Sequence, residues 1–216
     1  MYSFINESSA LITFAGLFTI IIAAGIVASE FGWGTIKLLL IRPIKRSKIL
    51  LSKYFTVLLF GILMTAVLFV GAALIGLILF GTGAGSNIHL AYANNHVVEQ
   101  SMLWFLVKKF LLSSIDVLML ATMAFMISAV FRNSSLAIGI SIFLLVMGSN
   151  VTMLLSMKFD WAKYILFANT DLMQYVDGTP MVKGMTLGFS ITMLIIYFVI
   201  FQLLAFGVFT KRDVAA

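Results

Sequence analysis

Residues 10–28 read ALITFAGLFTIIIAAGIVA, a run without a single charged side chain. A helix needs about 20 mostly apolar residues to cross the hydrocarbon core of a bilayer, so this run is long enough to span one. Four further stretches meet the same requirement, at about residues 54–80, 110–131, 136–157 and 185–209, and of these only residues 110–131 contain an acid, Asp116. The pattern predicts an all-α, polytopic transmembrane helical bundle of five spans, with residues 1–216 forming a single transmembrane domain.

The composition of the whole chain agrees with this prediction. Of its 216 residues, 62% are hydrophobic and 10% are charged, whereas a soluble domain carries about 25% charged residues. A transmembrane β-barrel would alternate apolar and polar residues, and the run LFTIII at residues 17–22 does not alternate. The chain has 0 Cys, which excludes disulfides and cysteine-ligated metals. The basic residues are concentrated in the loops between spans, so the positive net charge gives no reason to expect nucleic acid as a partner.

The position of the basic residues predicts the orientation, because short cytoplasmic loops carry an excess of Lys and Arg. The loop between the first two spans, residues 30–53, contains six basic residues, whereas residues 81–103 after the second span contain none, with Lys108 and Lys109 at the edge of the third span. Arg132 lies in the turn after the third span, and Lys211 and Arg212 follow the fifth. We therefore expect a multi-pass plasma-membrane protein with its amino terminus outside and its carboxyl terminus in the cytoplasm.

The loop of residues 30–53 carries most of the functional signal. Pro43 should interrupt any helix, because it lacks an N–H and clashes with the preceding turn. It also keeps Arg42 out of the helical region. Two short amphipathic pieces should therefore meet at a corner, the second starting near Ile44 and running into the second span. The basic residues either anchor the loop at anionic headgroups or dock a cytoplasmic partner.

The loop matches the pattern E-x3-G-T-x-K-x-L-L-x2-P-x2-R-x6-K through Glu30, Gly34, Thr35, Lys37, Leu39, Leu40, Pro43, Arg46 and Lys53. Two weaker motifs follow in order, AVFRNSSLAIG at residues 129–139 and LFANTDLMQY at residues 166–175. In these motifs the chain resembles the permease subunits of ABC-2-type ABC transporters, in particular the bacitracin- and lantibiotic-export group. The resemblance extends over nearly the whole chain.

The resemblance implies an exporter permease that moves a substrate, such as a peptide antibiotic or another amphipathic compound, out of the cell. Its partners would be an ABC ATP-binding subunit, a second permease copy or homologue, and the lipid bilayer. The family has six spans and both termini in the cytoplasm, so we expect that the family's first span has no counterpart before Met1. By the resemblance, the loop of residues 30–53 is a cytoplasmic coupling loop that docks the ATPase. The docking residues would be Glu30, Gly34, Thr35, Lys37, Arg42, Pro43, Arg46, Lys48 and Lys53.

The chain has no Walker A motif, in which Gly-Lys-Ser/Thr follows four spacer residues after a glycine. We therefore expect a transport subunit without its own ATPase site and without a bound cofactor, with ATP and magnesium on the partner subunit. His96 and Glu99 are spaced so that they could share a metal only if they lay on a helix. We interpret them as solvated loop residues, so no metal site is predicted. Asp116 is either a substrate-pathway residue or an acid satisfied by Ser113, Ser114 or a neighbouring helix.

Two other functions remain open. The chain could be a non-transporting membrane sensor or resistance protein that only sequesters its ligand. A passive channel is the weaker alternative, because a pore needs polar or charged stripes, and the first, second and fourth spans offer little beyond Ser and Thr.

Overall fold

The computed structural model describes residues 2–35, 44–81, 88–93, 96–131, 133–176 and 179–211. The helices and strands are α1 (Tyr2–Ser8), α2 (Ile12–Gly32), α3 (Arg46–Phe80), β1 (Ile88–Ala93), β2 (His96–Ser101), α4 (Met102–Val130), α5 (Ser134–Ser156), α6 (Leu166–Asn169) and α7 (Leu187–Lys211). Short 3-10 turns cover Ser9–Leu11, Asp160–Tyr164 and Leu172–Tyr175.

The prediction of an all-α transmembrane bundle is confirmed, because five helices of the described chain are long and apolar enough to cross a membrane. They are the continuous stretch Tyr2–Gly32, which joins α1 and α2, and the helices α3, α4, α5 and α7. Three of them begin eight residues before the predicted spans, at residues 2, 46 and 102. The polar residues at these ends hid them from a search for apolar runs. The protein is therefore a multi-pass membrane protein.

The helices run alternately up and down, so the bundle has two distinct ends. At one end, which we call the loop end, α2 finishes, α3 starts and α7 finishes, and the rings of Phe31 and Phe209 lie 6.3 Å apart. At the other, the hairpin end, α1 meets the start of α4, where Lys109 Nζ donates to Asn6 Oδ1 at 2.7 Å. There the rings of Phe4 and Phe80 also lie 5.8 Å apart.

The centre of the bundle is the contact between α2 and α4. In the apolar stretch of α4 56% of the residues are buried, against 17% in each of α3, α5 and α7. The facing surfaces consist of small, fully or almost fully buried residues, Ala23, Ala24 and Ala28 on α2 and Ala121, Ala124 and Ser128 on α4. Small side chains let two backbones approach closely, which is how helices associate in lipid, where the hydrophobic effect gives no drive.

Ser128 adds a polar link at the loop end of this contact. Its Oγ accepts from the backbone N–H groups of Val27 at 3.2 Å and Ala28 at 3.0 Å. A second link joins α3 to α4, where the hydroxyls of Tyr54 and Thr122 lie 2.9 Å apart. If the helices slid past one another, these bonds would break and leave unpaired polar groups in an apolar setting, which costs free energy. The bonds therefore fix the register of α2, α3 and α4.

The aromatic-rich segment after α5 is a set of short turns. It contains α6 and two 3-10 turns. One polar network, formed by groups between residues 163 and 190, holds it together. The buried Asn169 amide donates to the carbonyl oxygens of Lys163 and Ile165, both at 2.8 Å, and its Oδ1 accepts from Ser190 Oγ at 2.7 Å. Tyr175 completes the network with a 2.6 Å hydroxyl contact to Ser190. This network attaches the segment to the start of α7.

A small hairpin was not anticipated by the sequence analysis. Strands β1 and β2 pair antiparallel, with Ile88 opposite Ser101 and Ala93 opposite His96. His96 and Glu99 therefore lie in a strand, so the helical spacing that a shared metal would need does not exist there. Among the described residues, no group of three or more His, Asp or Glu side chains could hold a metal ion.

Gly148 of α5 provides a test of the packing between α5 and α6. A Cβ at this position would lie 2.4–2.6 Å from three ring atoms of Phe167. We expect Gly148→Ala to lower the free energy of unfolding by about 1–3 kcal/mol, the usual cost of overpacking, measured by thermal melting in detergent. Gly139→Ala on the same helix, where nothing lies within 4 Å, is the matched control and should change stability by at most about 1 kcal/mol. If Phe167→Ala does not relieve the Gly148→Ala defect, the clash is not its cause.

Candidate functional site

The candidate site is the base of the loop between α2 and α3, at the loop end of the bundle. Helix α2 closes with the N–H of Trp33 donating to the carbonyl of Ser29 at 2.8 Å, and Gly34 follows with a φ of 72°. Such a positive φ favours glycine, because other residues meet a steric penalty there. Thr35 Oγ1 then donates to the carbonyl of Glu30 at 3.5 Å. The chain therefore turns sharply as it leaves α2.

On the other side of the loop, helix α3 begins at Arg46. Lys45 precedes it with extended backbone, φ −59° and ψ 133°, and its carbonyl accepts from the N–H of Lys48 at 2.9 Å. The side chains of Lys45 and Lys48 are exposed, whereas that of Arg46 is half-buried. The first turn of α3 therefore presents positive charge to its surroundings.

An ion pair between Glu30 and Lys53 closes the base of the loop. Lys53 Nζ donates to Glu30 Oε1 and, at 2.9 Å, to the carbonyl oxygen of Ile26. The two side chains are only 16% and 20% exposed, so they are largely shielded from water. Glu30 Oε2 is buried and makes no hydrogen bond with any residue that the structure describes. The pair therefore ties the last turns of α2 to the third turn of α3 in one geometry.

This connection gives the loop a rigid attachment to the centre of the bundle. Lys53 bonds both a side chain and a main-chain carbonyl of α2, and α2 packs on α4 through the small residues described above. A force on the loop would therefore reach α2 and α3 together. Rigid-body shifts of this kind are one of the ways in which proteins transmit a conformational change.

The structure brings together some of the predicted docking residues. Glu30 and Lys53 form the ion pair, Gly34 and Thr35 lie where the chain leaves α2, and Arg46 and Lys48 lie in the first turn of α3. Lys37, Arg42 and Pro43 lie outside the described residues, so their predicted roles stay predictions. The sequence pattern did not single out Trp33, whose side chain is 78% exposed at the end of α2.

Asp116 lies in the middle of α4, close to the side chain of Thr170. Thr170 is itself buried and belongs to the segment that follows α6. The acid therefore has a polar neighbour from outside its own helix. Ser114 donates instead to the carbonyl of Phe110 at 2.7 Å. A role of Asp116 in a substrate pathway stays a prediction.

A cavity that the sequence did not indicate lies among α3, α4 and α7. Its volume is about 550 Å³, and its wall is apolar except for Tyr54 and Thr122. The wall comprises Tyr54, Leu58, Leu112, Ile115, Leu118, Met119, Thr122, Leu172, Leu187, Ile191, Leu194, Ile195 and Phe198. No sequence signal could have found it, because residues of these types also make up ordinary membrane helices.

The ion pair can be tested by a double-mutant cycle. We expect Lys53→Met to lower the free energy of unfolding by roughly 2 kcal/mol, because it leaves Glu30 charged, shielded and unpaired. Glu30→Gln combined with Lys53→Met should cost less than the sum of the two single variants. Thermal melting in detergent measures all three. Lys48→Met, an exposed lysine on the same helix, is the control and should change stability by no more than about 0.5 kcal/mol. Strict additivity would show that the pair contributes nothing.

Comparison with known proteins finds two relatives and a family. It is 62% identical over 217 residues to "Uncharacterized protein YhcI" of Bacillus subtilis, a match that covers all of this chain and 69% of that protein. It is 36% identical over 199 residues to "Uncharacterized membrane protein YdbK" of the same organism, covering 91% of this chain and 76% of that protein. Residues 1–215 match the family described as "Protein of unknown function (DUF2705)". The chain therefore belongs to the DUF2705 family of proteins of unknown function.

Proposed function

We propose that this chain is the membrane-spanning permease subunit of an ABC-2-type exporter. The observation that carries the proposal is the loop of residues 30–53, which resembles the family's coupling loop and has an ion-paired base. Exposed Lys45 and Lys48 offer positive charge to a partner, and the half-buried Glu30–Lys53 pair joins the loop to two spans. A docking element needs this combination of an accessible surface and a stiff connection to the moving helices.

In this proposal an ABC ATP-binding subunit docks on the loop and supplies ATP hydrolysis, with ATP and magnesium bound to that subunit. When the partner changes shape, the loop moves α2 and α3 as one unit. A second permease copy or homologue completes the transporter. The substrate is an amphipathic compound, for example a peptide antibiotic, that leaves the cell as the helices change arrangement.

The proposal also fixes the orientation. The loop end of the bundle faces the cytoplasm, because it gathers Lys45, Arg46, Lys48, Lys53 and Lys211, and basic loops stay on that side. The hairpin end then faces outward, together with the segment of residues 157–186. In this orientation the carboxyl terminus lies in the cytoplasm and the amino terminus lies outside.

Docking can be tested by co-purification with a co-expressed ABC ATP-binding subunit. We expect Lys48→Glu and Arg46→Glu each to reduce the recovered ATPase about tenfold or more, because reversing an interfacial charge costs several kcal/mol. Pro43→Ala should also weaken docking while leaving insertion intact. Lys183→Glu reverses an exposed lysine at the opposite end and should have no effect. If all these variants recovered as much ATPase as the wild type, the loop would not be the docking site. That result would favour a non-transporting sensor or resistance protein.

The orientation can be tested with single cysteines, since the chain has 0 Cys. Thr179→Cys and Ser47→Cys replace exposed residues at the hairpin end and the loop end. A membrane-impermeant thiol reagent should label Thr179→Cys in intact cells and Ser47→Cys only after permeabilisation. The reverse labelling pattern would overturn the orientation and leave the loop unable to meet a cytoplasmic ATPase.

A further inference from the structure

Helix α5 has two opposite faces. One face packs against the bundle and carries the buried residues of the helix, Ala137, Ser141, Gly148 and Thr152. The other, which we call the outer face of α5, carries exposed residues that follow one another at steps of three or four, Phe143, Met147, Asn150 and Leu154. Steps of this size place side chains on one side of a helix. The outer face therefore points away from the described bundle.

Asn150 places an amide on this face at the depth of the lipid tails. It lies five residues beyond Leu145, the midpoint of α5 (Ser134–Ser156). At the usual rise per residue, this distance is roughly 7–8 Å along the helix axis. Each half of the hydrocarbon core is about 15 Å thick. The amide therefore lies within the hydrocarbon when α5 crosses the bilayer.

The other charged and amide side chains of the described spans follow a different rule. The exposed ones, Glu7, Lys48 and Lys211, lie at or near helix ends, where water and headgroups are close. Asp116 and Gln202 lie deeper in α4 and α7, and neither is exposed. Within the described chain, Asn150 is thus the only such side chain that is exposed in the middle of a span. Because polar residues inside a membrane almost always face the interior of a bundle, the outer face of α5 calls for a protein neighbour.

The Asn150 amide is complementary to a second copy of itself. An asparagine amide has two N–H donors and one oxygen acceptor. Asn150 Nδ2 donates to the carbonyl of Val146 at 2.8 Å, which uses one donor within its own helix. The second N–H and Oδ1 are left for a partner. Across a two-fold axis, each of two such amides can donate to the Oδ1 of the other, whereas a lipid tail offers neither a donor nor an acceptor.

We propose that the outer face of α5 is the contact surface between two copies of this chain, with the two Asn150 amides paired across a two-fold axis. Hydrogen bonds between amide side chains of neighbouring helices promote association in lipid. A two-fold contact uses the same patch on both copies, so Phe143, Met147 and Leu154 pack around the amide pair. The inference rests on the proposed function only for the second permease copy, and it names the surface that holds that copy.

The contact can be tested with single cysteines, since the chain has 0 Cys. The purified full chain is reconstituted in phosphatidylcholine vesicles without any ATPase. Met147→Cys lies one turn before Asn150 on the outer face, and Leu203→Cys, at a position 68% exposed on α7, is the control. Mild oxidation should cross-link Met147→Cys into a dimer and leave Leu203→Cys monomeric.

The role of the amide is measured in the Met147→Cys background. The cross-linked fraction at a series of lipid-to-protein ratios gives the association constant. Asn150→Leu should lower this constant about tenfold, the scale of one or two hydrogen bonds between membrane helices. Asn150→Gln, which keeps the amide, should retain most of it. Thr192→Val, which removes an exposed hydroxyl from α7, should leave it unchanged.

Three results would overturn the inference. A Met147→Cys protein that stays monomeric at every ratio would mean that the outer face meets lipid or a different protein. Equal cross-linking of Met147→Cys and Leu203→Cys would indicate random collisions. An association constant that is unchanged in Asn150→Leu would show that the amides do not pair. Because no ATPase is present, failure here leaves the docking proposal standing, and failure of docking leaves this contact standing.

Discussion

The close contact between α2 and α4 is the constraint on which the rest of the structure depends. In lipid, helices gain little by hiding apolar surface from one another, so association relies on close packing and on polar links. The alanines of both helices allow that approach, and Ser128 fixes it by accepting from two backbone N–H groups of α2. Helices α3, α5 and α7 then surround this pair and expose most of their apolar surface, as membrane helices do.

The loop site and the cavity are both built on this central pair. The Glu30–Lys53 pair attaches α3 to the end of α2, and the Tyr54–Thr122 contact attaches the same helix to α4 through the next residue. Because α3 takes part in both attachments, the loop end of the bundle and the wall of the cavity are connected through one helix.

The sequence predicted the fold well, because crossing a bilayer imposes a length and a composition that can be read directly. The run at residues 54–80 lies inside α3, and the run at residues 10–28 lies inside the continuous helical stretch Tyr2–Gly32. It was less informative about the segment after α5, which lies between two predicted spans and has no apolar run that would indicate its structure. The structure has short turns there, because the buried Asn169 amide captures main-chain carbonyls that a continuous helix would use itself. The motif at residues 30–53 identified Glu30 and Lys53, but their pairing across the loop is a tertiary contact.

The length of α3 has a consequence of its own. Its 35 residues correspond to about 52 Å of helix at the usual rise per residue, whereas the hydrocarbon core is about 30 Å thick. Even with a tilt, this helix is too long to be contained in the membrane. Its basic first turns therefore project beyond the lipid tails. The charged side chains at this end of the helix need no counter-charge within the lipid, because headgroups and water surround them.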